Sequence, residues 1–408
     1  MFRGLCAALC LLVGSIAQAD EPPSSPLVES YLVEGRLADG QTALDAHLQQ
    51  HPGDAQARFG QGVLQLLRAV ENLAQELHRY GLRSNTPQLP FVRLPVPANP
   101  NPEKLTYETW RAILQQFSDD LGRAADTLAQ VDDPEVKLGL PVGMIQLDLD
   151  GDGKTGQDET FWRVFTTVAW RAAKVSDEQK AFPIGFDRAD VHWMIGYTHL
   201  LRAMVDAWLA YDTQAFFEQT APFFFSGVRS PYGALGTRDE NRGVFDADRI
   251  ADAVAAIHLV HFEVVEPKRM DRARKHLLAM IQQSRLCWKY ALAETDDDRE
   301  WIPNARQTSL TPLTVNEQRI AGWKQFLDEA ELVLQGKKLL PHWRVKDGRG
   351  INLKRVFQEP RTFDLVLWVH GAATIPYLEE GPMVTRQTAN SLNAAFQGRF
   401  LAFAVWFQ

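Results

Sequence analysis

The chain has 408 residues, of which 45% are hydrophobic and 23% charged, and its formal net charge is −8 at pH 7. This excess of acidic residues argues against the basic surface that a nucleic-acid partner requires, so no nucleic-acid binding is expected. The length suits one large domain or two ordinary ones. The 11 tryptophan and 22 phenylalanine residues indicate a well-packed interior or an aromatic ligand cleft.

Residues 1–19 have the organisation of a secretory signal peptide. The basic residue Arg3 precedes a short apolar run, and the sequence Ala17-Gln18-Ala19 predicts cleavage after Ala19. The apolar run is too short for a stable membrane span, so no transmembrane anchor is expected after cleavage. Of the three cysteines only Cys287 would remain, which predicts a mature protein without an internal disulfide. The predicted location is the periplasm or the outside of the cell.

The N-terminal region, 20–83, is predicted to be helical from residue 27 to residue 78. Alanine-rich segments with apolar residues at helical spacing are separated by Pro52-Gly53, which predicts a turn between helices. This pattern resembles a tetratricopeptide repeat over about one and a half repeats. The resemblance implies a helix pair that docks a partner protein, and a plain helical hairpin is the alternative interpretation.

A proline-rich connector, residues 84–103, is predicted to follow. Its six prolines forbid a helix and favour an extended segment that lies against the protein surface. The connector separates region 20–83 from a main domain, 104–408. Amphipathic spacing in that domain predicts helices at 104–131, 159–174, 247–264, 268–294 and 315–335, and a further helix that starts at Asp187 or Asp190 and runs to about residue 211.

The C-terminal part of the main domain changes character after residue 339. The apolar runs 363–369 and 400–407 are candidate buried strands, and helix is the alternative for either run. The predicted fold class is therefore mainly α. It comprises a helical hairpin and a larger α-helical domain, with a few short strands or extended segments near the C-terminus.

The most specific pattern in the sequence is the acidic loop, residues 148–159. Calcium binds about six to eight oxygen ligands, which a loop of this length supplies from alternating positions around a central glycine. Gly153 occupies the glycine position. The predicted metal ligands are Asp148, Asp150, Asp152, the backbone carbonyl of Lys154, and Glu159. The sequence therefore predicts calcium as the cofactor.

The acidic loop resembles the EF-hand calcium site, and the resemblance covers residues 148–159 only. Thr155 stands where paired EF-hands carry an aliphatic residue, so a paired sensor is not expected. The preceding segment, 140–147, contains proline and glycine, which predicts an extended segment in place of an entering helix. A single loop favours a structural role for calcium over a regulatory one, and an acidic turn that binds no ion is the alternative.

Histidine and acidic residues form a second pattern, on two predicted helices. Three of them are spaced by two helical turns and share one helix face, and three more lie close together near the end of another helix. Such side chains bind transition metals or perform acid–base chemistry if the two helices meet, and otherwise they are hydrogen-bonded groups of a helical core. The two sets are His192, His199 and Asp206, and His258, His261 and Glu263.

The sequence thus predicts an exported calcium-binding protein in which calcium is a structural staple. Its expected role is binding or scaffolding in the periplasm or outside the cell, with a protein or glycan as partner. The alternative is an exported hydrolase or lyase that acts on a glycan or envelope polymer. In that interpretation, the histidine and aspartate side chains line a catalytic cleft.

Overall fold

The computed structural model describes residues 27–84, 94–156, 159–168, 181, 183–228, 247–297, 300–307, 315–396, 400 and 403–404. Within these residues the fold is mainly α, as predicted, with a few short strands. The helices are α1 (Leu27–Val33), α2 (Leu37–Gln50), α3 (Ala55–Arg79), α4 (Tyr107–Leu128), α5 (Phe161–Val168), α6 (Arg188–Leu209), α7 (Gln214–Phe224), α8 (Ala247–Leu259), α9 (Pro267–Ala291), α10 (Glu317–Leu334), α11 (Leu353–Gln358), α12 (Leu365–His370) and α13 (Arg386–Phe396).

The described strands form three separate antiparallel pairs. The strands are β1 (Leu138–Leu140), β2 (Ile184–Phe186), β3 (His261–Phe262), β4 (Arg349–Ile351), β5 (Phe363–Asp364) and β6 (Leu378–Glu380). β1 pairs with β2, β3 with β5, and β4 with β6. Two short 3-10 helices, Val142–Met144 and Ala372–Tyr377, complete the regular structure described. Each pair is too small to form a layer of its own, so the helices build the core.

The N-terminal helices pack in the order of the chain, with α1 and α2 against α3 and α3 against α4. The start of α3 is set locally, because the side chain of Asp54 accepts a 2.8 Å hydrogen bond from the N–H of Ala57. The apolar face of α3 is fully closed to solvent at Phe59 and Leu64. Further along this helix, Glu71 contacts the acidic loop that is described below.

The described part of the connector has no helix or strand and lies against the helices. Leu94 and Val96 are buried, and the N–H of Glu103 donates a 3.0 Å hydrogen bond to the carbonyl of Arg79. One continuous set of buried hydrophobic side chains includes residues from both sides of the connector. The division at 84–103 into two domains remains a prediction.

The centre of the main domain is the pairing of α6 with α9. α6 begins after Asp187, whose side chain accepts from the N–H of Ala189 at 2.7 Å, while Asp190 accepts from the N–H of Asp187 at 3.0 Å. This reciprocal arrangement is a capping box, and it explains why α6 starts after Asp187, one of the two predicted positions. α9 begins at Pro267, which suits a first helical position because proline has no N–H to leave unpaired.

Two predicted elements need correction. The helix predicted at 247–264 ends at Leu259, because residues 261–262 pair with residues 363–364 as strands and turn Phe262 into the core. The run 363–369 is a two-residue strand followed by α12, so the helix alternative describes most of it. Run 400–407 falls largely outside the described residues, as do residues 169–174 of the helix predicted at 159–174.

Candidate metal centre

The acidic loop turns sharply at two glycines. Gly151 and Gly153 have φ angles of 77° and 80°, a left-handed conformation that glycine adopts without the steric cost of a side chain. This turn brings together one carboxylate oxygen from each of Asp148, Asp150 and Asp152, all within 4.8 Å of one another. Three of the predicted ligands therefore converge at one point.

The three aspartates are oriented by the loop's own backbone. Both oxygens of Asp148 accept N–H groups, from Gly151 at 2.7 Å and from Gly153 at 3.0 Å. Asp150 accepts from the N–H of Asp152 at 3.1 Å, and Asp152 accepts from the N–H of Lys154 at 2.8 Å. A carboxylate oxygen has two lone pairs, so these hydrogen bonds fix the side chains and leave lone pairs for a cation.

Glu159 lies beside this group rather than within it. Its side chain is buried, and its two oxygens accept hydrogen bonds from the N–H of Leu149 at 3.0 Å and of Gly156 at 2.7 Å. These bonds close the loop by joining its last position to its second and ninth. Glu159 can reach a cation only through its remaining lone pairs or after a change of rotamer.

The loop is attached to α3 through its first residue. The N–H of Asp148 donates a 2.9 Å hydrogen bond to Oε1 of Glu71, and the side-chain amide of Gln75 donates a 2.8 Å bond to the carbonyl of Asp148. Leu147 and Leu149, on either side, are fully buried. The loop backbone is therefore held at a helix that lies far away in the sequence.

The opposite side of the loop contacts the turn between α1 and α2. The N–H of Gln146 donates a 3.0 Å hydrogen bond to the carbonyl of Leu32, and the hydroxyl of Thr155 donates to the side chain of Gln146. Gly35, with a φ of 67°, lies so close that a Cβ there would overlap the methyl group of Thr155. Position 8 of the loop thus serves as a docking point within the same chain.

The flanks of the loop differ from those of a paired EF-hand. Residues 138–147 form β1, a 3-10 helix and an extended segment, so no α-helix enters the loop. On the exit side, α5 begins at Phe161, whose N–H donates a 2.9 Å bond to the carbonyl of Ile145. The entry and exit of the loop are therefore tied to each other.

Negative charge accumulates around the first ligand position. The pKa of Glu71 is raised to about 7, chiefly by burial, and the negative charges of Asp148 and Glu159 contribute to this rise. The N–H of Asp148 and the cation of Arg68 act in the opposite direction. A divalent cation at the loop would offset the repulsion among these carboxylates.

Sequence reasoning missed Glu71 and Gln75 as neighbours of the loop. One signal for Glu71 was available: it follows Leu64 and Leu67 and precedes Ala74 at helical spacing, so an acid occupies the apolar face of α3. A buried acid on such a face is expected to have a partner. Nothing in the sequence identifies the loop as that partner.

The side chains of the first histidine set point from α6 to separate partners on α9. Nδ1 of His192 lies 2.7 Å from the amide oxygen of Gln283. Nδ1 of His199 lies 2.9 Å from Nδ1 of His276, and burial, followed by the charges of His276 and Arg202, lowers the pKa of His199 to about 4. These are features of a packed helix interface.

Asp206, the acidic member of the first set, forms ion pairs. Its Oδ1 lies 3.0 Å from Arg269 and 2.9 Å from Arg272. In the second set His258 is exposed on α8, and Nδ1 of His261 lies 2.9 Å from Oδ2 of Asp364. The two predicted sets therefore do not meet in one cleft among the described residues.

A second group of carboxylates lies at the ends of the two central helices. Asp187, Glu294 and Glu300 have side-chain oxygens within 4.8 Å of one another. The pKa of Glu294 is raised to about 8, first by burial and then by the hydrogen bond and charge of Asp187. The amide of Gln307 opposes the rise. Glu294 is therefore expected to hold a proton at neutral pH.

Comparisons with protein-family models, with curated proteins and with solved structures found no match to this chain. Among the residues that the structure describes, no helix combines the length and the apolar character needed to cross a lipid bilayer.

Proposed function

We propose that this chain is an exported calcium-binding protein, in which one calcium ion at the acidic loop acts as a structural staple. Its role would be binding or scaffolding in the periplasm or outside the cell, with a protein or glycan as partner. The observation that carries the proposal is the convergence of three aspartate oxygens within 4.8 Å on a loop that turns at two left-handed glycines. Calcium prefers hard oxygen ligands in this kind of flexible loop.

The contacts of the loop support a structural role. A hydrogen bond joins the loop to α3 through Asp148, and the segment just before the loop is bonded to the end of α1 through Gln146 and to the start of α5 through Ile145. An ion that binds only the folded state stabilises it by about 2.7 kcal/mol when free calcium is about 100 times the dissociation constant. For a protein outside the cytoplasm even a weak site would be filled.

Thermal unfolding of residues 20–408, which contain every described element, tests the proposal. The matched variants are Asp150→Asn with Asp152→Asn, since each of these side chains uses only Oδ1 in the loop and asparagine keeps that acceptor. The control is Asp132→Asn with Asp133→Asn, an exposed acidic pair outside the loop. We expect calcium to raise the melting temperature of the intact and control proteins, and not that of the loop variant.

Two further conditions, chelator and magnesium, test whether the effect on the melting temperature is specific to calcium. Chelator is expected to bring the intact protein down to the melting temperature of the loop variant, and magnesium to substitute poorly because it demands a tighter octahedral shell. If calcium leaves the melting temperature of the intact protein unchanged, the acidic loop is an ordinary turn and the proposal fails.

A second candidate function, the hydrolase or lyase that acts on a glycan or envelope polymer, is favoured by one observation. His261 and Asp364 form their 2.9 Å pair on the wall of a cavity of about 610 Å³, together with Glu263 and Arg361. When Nδ1 of a neutral imidazole donates to a carboxylate, Nε2 is left as a base. Release of soluble fragments from isolated envelope polymer, lost in His261→Gln and retained in His258→Gln, would support this function.

A further inference from the structure

Most of the exposed large apolar side chains in the described part of the chain come from two segments. Of the fourteen large hydrophobic residues that are exposed in the described part of the chain, nine lie between residues 250 and 265 or between residues 343 and 375. We call this set the apolar face. Its members are Ile250, Val254, Ile257, Val265, Trp343, Val366, Leu367, Val369 and Ile375.

The elements of the apolar face are joined to one another. α8 contacts α12, and the N–H of Leu365 at the start of α12 donates a 3.0 Å hydrogen bond to the carbonyl of Val260 just after α8. At the other end of α12, the indole N–H of Trp343 donates a 3.1 Å bond to the carbonyl of Val369. The elements that carry most of these side chains are therefore joined in one part of the fold.

Two helices present their apolar residues to solvent. In α8, residues 250, 254 and 257 are spaced four and three apart, which places them in one stripe along the helix. In α12, half of the six residues are exposed aliphatic side chains, namely Val366, Leu367 and Val369. Folded monomers rarely leave many large apolar side chains exposed in one part of the fold, so the apolar face is expected to contact another body.

The chemistry at the edge of the face indicates the kind of body. Trp343 is 65% exposed, and the guanidinium of Arg344 lies 5.5 Å from its ring centroid. Arg349 is neutralised by Asp347 at 2.6 Å, whereas the exposed Arg344 and Lys346 form no ion pair among the described residues. Two uncompensated cations beside an exposed indole therefore border an aliphatic surface, in a chain whose net charge is −8.

We propose that the apolar face docks on an anionic phospholipid surface. Aliphatic side chains would enter the acyl boundary, the indole of Trp343 would lie at the headgroup level, and the two cations would contact lipid phosphates. A symmetric dimer would also cover the apolar face, but it gives no anionic partner to Arg344 and Lys346, which form no ion pair among the described residues. The proposal does not depend on calcium binding.

Vesicle flotation tests this docking. Residues 20–408 are mixed with vesicles of phosphatidylglycerol and phosphatidylcholine, or of phosphatidylcholine alone, with calcium present. We expect flotation with the anionic vesicles and much weaker flotation with the neutral ones. Arg344→Gln with Lys346→Gln is expected to lower the partition coefficient about 30-fold, and Trp343→Ser with Val369→Ser at least about tenfold.

Matched variants test whether flotation depends on the apolar face itself or on the loss of any exposed cation or apolar side chain. Lys104→Gln with Lys337→Gln removes two exposed cations elsewhere, and Met204→Ser with Leu332→Ser removes two exposed apolar side chains elsewhere. Both controls are expected to float like the intact protein, and the two controls and the two face variants to melt at similar temperatures because the changed side chains are exposed. Equal flotation of Asp150→Asn with Asp152→Asn would show that calcium at the loop does not bridge to lipid.

Three results would overturn the proposal. The first is absence of flotation with anionic vesicles. The second is flotation that Trp343→Ser with Val369→Ser and Arg344→Gln with Lys346→Gln leave unchanged. The third is a concentration-dependent dimer, measured by light scattering, that Trp343→Ser with Val369→Ser abolishes, since the apolar face would then be covered by a second copy.

Discussion

The N–H of Asp148 donates a 2.9 Å hydrogen bond to Oε1 of Glu71, a residue 77 positions earlier in the chain. This bond places a buried carboxylate against the first ligand position of the acidic loop. Burial and the nearby charges of Asp148 and Glu159 raise the pKa of Glu71 to about 7. The affinity of the loop for a cation is therefore expected to depend on α3 as well as on the loop.

The first prediction concerns this carboxylate. Glu71→Gln keeps the oxygen that accepts the N–H of Asp148 and removes a negative charge beside the loop, so calcium affinity is expected to fall about three- to tenfold at pH 8. Calorimetric titration with calcium measures the change. Glu76→Gln, on the same helix and paired with Arg79 at 3.6 Å, is the control. Equal affinities for all three proteins would contradict a role for Glu71.

The second prediction concerns the contact between Gly35 and Thr155. Gly35→Ala is expected to destabilise the fold by about 2–4 kcal/mol, because alanine is strained at a φ of 67° and its Cβ overlaps the Thr155 methyl group. Chemical denaturation measures the loss. Gly53→Ala, where no heavy atom lies within 4 Å of the added carbon, is the control and should change stability little.

A double variant separates the two causes of that loss. Thr155→Ser removes the methyl group and keeps the hydroxyl that donates to Gln146. The combination of Gly35→Ala with Thr155→Ser should therefore relieve the overlap, so that only the cost of the backbone strain remains. If the two changes are additive, the loop does not contact the α1–α2 turn in solution.

The third prediction concerns the alkaline side of the pH profile. The pKa of Glu294 is raised to about 8 from a usual value of 4.5, so the folded state holds more protons than the unfolded state between these pH values. Stability should therefore decrease as pH rises from 6.5 to 8, by less than about 1 kcal/mol because the group is partly exposed. In denaturant titrations, Glu294→Gln should weaken this decrease in stability between pH 6.5 and 8, and Glu29→Gln should leave it unchanged.

The fourth prediction concerns the acidic side. The pKa of His199 is lowered to about 4 by burial and by the charges of His276 and Arg202. Between pH 4 and 6.5 the unfolded state then binds more protons, so stability should fall by about 2 kcal/mol as pH decreases through this range. His199→Gln should remove much of that dependence, whereas His258→Gln, exposed on α8, should preserve it. If stability depends on pH equally strongly in His199→Gln, another group is responsible for the loss of stability at acidic pH.

Local patterns in the sequence account for the elements that were predicted well. The helices predicted from residue 187 or 190 to about 211 and over 268–294 match α6 and α9 within a few residues. Their apolar spacing and their first residues, Asp187 as N-cap and Pro267 at the start, act within one or two turns. The spacing of the loop aspartates is equally local, which is why three of the predicted ligands converge.

Contacts between distant residues account for what was missed. The short strand at His261 forms only because residues 363–364 lie beside it, so apolar periodicity alone extended the helix to residue 264. The group Asp187, Glu294 and Glu300 is assembled by the packing of α6 on α9. The spacing of residues along one helix or strand carries no information about which other elements it contacts.

The sequence by itself determined the helical class, the main helix boundaries, and the order of carboxylates and glycines in the acidic loop, because each depends on residues within a few positions of one another. Only the tertiary structure decided that the loop is hydrogen-bonded to Glu71 and Gln75, that the histidines of α6 face separate partners on α9, and that α8 and α12 contact each other. These relationships depend on which helix faces pack together, and packing is set by the shape and burial of the whole core rather than by any one segment.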